Sequence, residues 1–255
     1  MSAYRACSSA LSRTDTTIVR RSLAALLCAL ATACGMPLDP SLPVYTTEQT
    51  DSAHPGYRRT TVSTAGAEYV NDLEEQSIQI IDTDPKRVVG RSRFGNGKIC
   101  AIDGQDPSAY LAVDVGSEMP AYEVYRGTGH PPFDWRHAAF QKVRLDVLEG
   151  PAANKETTDA ALIDDVLRTL RDGTPVSPAL PPQPLMTTGS AGVHGVLFFS
   201  DHLPGLAFRP SCYLAPSGEV YLADSLAVTY TKGGPLVQAA WIAASPLFAR
   251  WSTTP

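Results

Sequence analysis

From about Ser77 onward the chain repeats one device: a short apolar-rich run cut off by Gly, Pro, Asn or Asp. The runs are "SIQIIDT", "KRVVGRSR", "GKICAID", "SAYLAVDV", "AYEVYRG" and "AFQKVRLDVLEG", and after residue 190 "GVHGVLFFSD", "GLAFRPSCYLA" and "EVYLADSLAVTY". Such lengths suit strands, whose alternate side chains turn toward a core, better than helices. Asn96-Gly97 tolerates positive φ at both centre positions of a type I′ turn, which predicts a hairpin there. The period changes in "TTDAALIDDVLRTLRDG", where Leu162, Ile163, Val166, Leu167 and Leu170 form one helical stripe with Asp164, Asp165, Arg168 and Arg171 off it. Thr157 or Thr158 can cap its start, Asp159 favours the first turn and Gly173 suits its end. The expectation is an α+β fold: a largely antiparallel β-sheet with the Thr158 to Arg171 helix packed on one face. A helix that docks in a partner's groove would carry the same stripe. "TPVSPALPPQP" reads as a semi-rigid loop, and "PLVQAAWIAASPLFARW" as a short C-terminal helix begun by Pro235 and interrupted near Pro246.

Ahead of the strands, Arg20 and Arg21 precede an uncharged run from Ser22 to Ala33. As a helix it would cover roughly 18 Å, too little for a hydrocarbon core of about 30 Å. A buried core helix is one reading. The basic flank and small terminal residues are instead those of an export signal. Its end, Ala31-Thr32-Ala33-Cys34-Gly35, resembles the lipobox of bacterial lipoprotein precursors. The resemblance implies cleavage before Cys34, diacylglycerol on its sulfur, further acylation with palmitate-type chains, and a protein exported and held on a bacterial cell or outer membrane. Met1 to Ile18 is a polar preface carrying Asp15, which suggests a translation start at Val19. Arg20-Arg21-Ser22-Leu23 is also loosely similar to a twin-arginine signal.

The expected organisation is therefore residues 1–33 as export signal, 34–64 as lipidated cysteine and flexible tether, and 65–255 as one globular domain. Within the tether, "LPVY" is a candidate docking strand. Hydrophobic residues make up 44% of the chain, enough for a real core, and the net charge is -5. Loss of Arg5, Arg13, Arg20 and Arg21 with the signal makes the mature surface more acidic still, which argues against binding nucleic acid. The expected partners are the membrane surface, through lipid on Cys34, and an envelope ligand or protein. With Cys34 lipidated, Cys100 and Cys212 remain, and export would permit a disulfide between them; two buried thiols are the alternative.

Catalytic and metal signatures are sparse. Of five histidines, His54, His130, His137, His194 and His202, none lies in a zinc motif, and Cys-x-x-Cys is absent. No cofactor is expected. "HPPFDWRH" places His130, Asp134 and His137 close together as ligands or an acid–base pair, although its prolines and aromatics also describe an anchored loop. Ser200, Asp201 and His202 adjoin a strand end, but triad members seldom neighbour one another in sequence. "TGSAG" misses the nucleophile-elbow register by one position, "FGNGK" lacks the phosphate-loop spacing, and Asp103, Asp106 and Asp114 lack a calcium-loop pattern. Two functions follow: a non-enzymatic binding or structural module, or an exported hydrolase using His130, Asp134 and His137, or Ser200 and His202. A cleft joining those side chains favours the second, and their dispersal the first.

Overall fold

A computed structural model describes residues 39–53, 58–72, 76–81, 85, 87–93, 97–116, 121–146, 154–176, 192–224, 228–231, 234–237 and 240–254. The expected export signal with Cys34, and also His54, Asn96 and Ser190, lie outside the described residues. The elements in order are β1 (Val44–Asp51), β2 (Arg58–Thr64), β3 (Ala67–Asn71), β4 (Ile78–Ile80), β5 (Val88–Ser92), β6 (Lys98–Ala101), β7 (Tyr110–Asp114), β8 (Tyr122–Gly127), β9 (Lys142–Asp146) and β10 (Glu156–Thr157). There follow α1 (Ala160–Asp172), β11 (Pro175–Val176), β12 (Gly192–Phe199), β13 (Leu206–Phe208), β14 (Ser211–Leu214), β15 (Val220–Ala223), β16 (Val228–Thr231), β17 (Gly234–Val237), β18 (Trp241–Ala243) and α2 (Pro246–Thr253).

Seven strands close a barrel in the order β1-β2-β3-β8-β7-β6-β5. Its hairpins follow the short turns of the sequence: β5 and β6 pair antiparallel, and Ser92 N donates to Gly97 O at 2.8 Å, with Gly97 at φ +75°. Alternation then sorts the side chains. Tyr45, Val62, Tyr69, Ile99, Leu111, Val113 and Tyr125 fill one core. The intervening residues Cys100, Tyr110, Ala112 and Val124 join Ile78, Ile80, Leu203 and Leu206 in a second. All five residues of β7 are buried because both its faces are covered, which explains the unbroken apolar character of "YLAV".

Apart from a two-stranded sheet of β16 and β17, a second sheet, of nine strands, runs β10-β9-β12-β14-β15-β18-β11, with β13 pairing β12 and β4. The third core unites its Val143, Leu145, Val196, Phe198 and Leu222 with the α1 stripe and with Phe248 of α2.

Five expectations need correcting. The α+β class is overturned: the described residues are mostly β, with a closed barrel, a second sheet and two short helices in place of one sheet covered by a helical layer. The predicted stripe is buried in full, but period alone does not reveal that the preceding strands close on themselves. Asp159, not a threonine, caps α1, its carboxylate accepting from Ala161 N at 2.9 Å. Pro235 lies in β17, and the C-terminal helix starts at Pro246, where interruption was expected. Proline suits a first helical turn because its missing N–H has no helical partner there. No disulfide joins Cys100 and Cys212, which are not close; each is buried in a different core. Finally, in the stretch read as tether, residues 44–51 and 58–64 are β1 and β2, and the compact unit begins at Leu42.

Candidate functional site

The 130–140 loop is held by its aromatics. Trp135 is buried and stacks on Phe208 with ring centres 4.9 Å apart, and Phe140 packs edge-on to Phe198 at 5.4 Å. Arg136 lies over the Trp135 ring and pairs with Asp224 at 3.2 Å. On the outside of this anchor His137 Nδ1–H donates to Asp134 Oδ2 at 2.6 Å, with the imidazole 84% exposed. That hydrogen bond holds the Asp134 carboxyl below the usual carboxylate range, helped by Arg136 N–H and by the His137 and Arg136 charges.

His130 is turned to other partners. Its Nε2 lies 3.5 Å from Ser108 Oγ, while Ser108 Oγ donates to Asp106 Oδ2 at 2.8 Å. Gly127 makes room for this approach, since a Cβ there would fall 2.1 Å from Ser108 O. The order of proton donation runs opposite to that of a catalytic triad, in which serine gives its proton to histidine. Ser108 gives its proton to the carboxylate. Ser200 is buried, its Oγ accepts from His202 N at 3.2 Å, and the backbone closes a turn from Leu203 N to Ser200 O. It therefore caps a turn. His194 sits in β12 opposite Cys212.

The structure thus joins His137 to Asp134 and ties His130 and Ser200 elsewhere. Among the described residues, no group of three or more His, Cys, Asp or Glu side chains could hold a metal ion. Also among them, no helix is long and apolar enough to cross a membrane.

A different place has the form of a ligand site. Where the barrel closes, β1 and β5 run parallel and pair at only Val44–Arg91 and Tyr45–Ser92. Gly90 lets β5 pass the Tyr45 ring, because a Cβ there would lie 2.4 Å from a ring carbon. Beyond these pairs the backbone ladder stops, and a hydrogen bond between Thr47 Oγ1 and Ser92 Oγ at 3.1 Å still links the two strands. The opening is a cavity of about 670 Å³ lined by Val44, Tyr45, Thr46, Thr47, Gln49 and Arg93. That volume is in the range of small-ligand pockets. It offers an aromatic ring, neutral hydrogen-bonding groups and one cation. No sequence motif marks any of these residues as a site. The available signal was the β-prone "VYTTEQT", obscured by the prolines and charges around it.

No protein-family model matches the chain, and neither the comparison with curated proteins nor that with solved structures returns a match.

Proposed function

We propose that this is a lipid-anchored protein of a bacterial cell envelope that binds a ligand without transforming it, using the cavity at the β1–β5 seam. The observation carrying the anchor is the short uncharged run behind Arg20 and Arg21 that ends in Ala31-Thr32-Ala33-Cys34-Gly35. Acyl chains on Cys34 would each add about 0.8 kcal/mol per buried methylene; one chain holds marginally and two or three hold firmly. Binding is favoured over hydrolysis by the different partners these side chains take, His130 lying against Ser108, Ser200 accepting from the His202 backbone in a turn, and His137 bonding Asp134.

Cys34→Ser tests the anchor. The expected result is loss of the protein from the membrane fraction and, in the unsubstituted protein, lipid mass on an N-terminal Cys34. Unchanged fractionation of the variant, or a mature N-terminus without lipid, overturns it.

A further inference from the structure

Backbone N–H and C=O groups along a strand point alternately to its two sides. The carbonyl of Pro43 accepts from Arg91 N at 2.9 Å, so the odd-numbered residues of β1 turn their main-chain groups toward β5. Even-numbered ones face β2, to which β1 is paired from Thr46 to Asp51. But β5 ends at Ser92, opposite Tyr45. Among the described residues, the main-chain groups of Thr47, Gln49 and Asp51 on that side consequently have no ladder partner, and only the Thr47 hydroxyl reaches β5, at Ser92. An edge of this kind is a template for a further strand.

The cavity lies along the same edge. It touches Val44, Tyr45, Thr46 and Thr47 in succession and then Gln49, residues of both faces, whereas a cavity over one face would meet every second residue. Its other wall carries Arg93, which is exposed and forms no ion pair among the described residues. Glu48 and Asp51 on β1 disfavour a negative charge beside them, Arg58 and Arg59 lie across from β1 on β2, and Arg93 is the cation that lines the cavity itself, so a carboxylate in the cavity is best placed beside Arg93.

We propose that an extended peptide segment bearing an acidic side chain adds as a strand to the open edge of β1, its main chain bonding Thr47, Gln49 and Asp51 and its carboxylate pairing with Arg93. This deepens the binding reading of the same cavity and rests on it.

The probes are blocked hexapeptides alternating Thr and Val, one parent and six carrying a single Glu at successive positions, titrated into the full chain in detergent. One Glu register should bind about three- to fivefold more tightly than the parent, as befits an exposed ion pair. Arg93→Gln should erase that preference. Thr47→Pro, which removes an edge donor together with the Thr47–Ser92 hydroxyl bond, should weaken every peptide, whereas Thr47→Val, which removes the hydroxyl bond alone, should not. In hydrogen exchange, the amides of Thr47, Gln49 and Asp51 should be fast in the free protein and protected in the complex, with Glu48 and Thr50 unchanged. Failure of every peptide to bind, or binding without that alternating protection, overturns strand addition. A compact ligand that is sensitive to Arg93→Gln, indifferent to Thr47→Pro and without effect on those amides would keep the cavity as a binding site while refuting the strand; loss of ligands of both kinds would remove the binding reading itself.

Discussion

Asp106 and Asp134 show how loop carboxylates gain fixed roles without burial. The backbone N–H and then the hydroxyl of Ser108, with His130 nearby, hold Asp106 below the usual carboxylate range; His137 does the same for Asp134. A carboxylate lowered in the folded state stabilises it above the ordinary pKa, and that contribution disappears as pH falls through the folded value. Asp106→Asn and Asp134→Asn should each lower the thermal midpoint at pH 7. The deficit relative to the unsubstituted protein should vanish between about pH 4 and pH 2, as followed by circular dichroism. The Asp134–His137 pair was visible in the sequence as neighbours at i and i+3. The link of His130 to Ser108 spans 22 residues and depends on a glycine whose missing Cβ has no sequence signature beyond its identity.

At the scale of elements, capping joins what the chain separates. Ser245 accepts from Phe248 N at 3.1 Å as the N-cap of α2, and its hydroxyl donates to Asp165 on α1. Ser245→Ala should cost about 1–2 kcal/mol, seen as a lower urea midpoint at unchanged slope. Adding Asp165→Ala should bring less than its separate effect, because both remove one bond. Strands, the α1 stripe and the β5–β6 hairpin were legible because period and turn chemistry are local. Asp165 read as a solvent-facing residue because its partner is 80 residues away. β1 read as tether since an N-terminal strand shows its purpose only when β5 lies alongside, and the prolines around "LPVY" argue locally for a linker.

For the molecule as a whole, the four apolar clusters of the described residues hold the layers without a crosslink between Cys100 and Cys212. Cys212, on β14 of the second sheet, is fully buried, and burial pushes its thiol well above the ordinary range, so the nucleophilic thiolate is scarce. Cys212 should resist alkylation in the native protein and react on unfolding, and non-reducing peptide maps should contain no Cys100–Cys212 link. Dithiothreitol should leave the melting temperature unchanged.

The two-pair closure between β1 and β5 also governs how the fold meets mechanical load. Tension arriving from residues ahead of Leu42 reaches β1 first, where six pairings secure it to β2 and two to β5. The ring of strands should therefore part at that joint and open into a curved sheet before β2 peels away, making the point of chain entry the fuse of the domain.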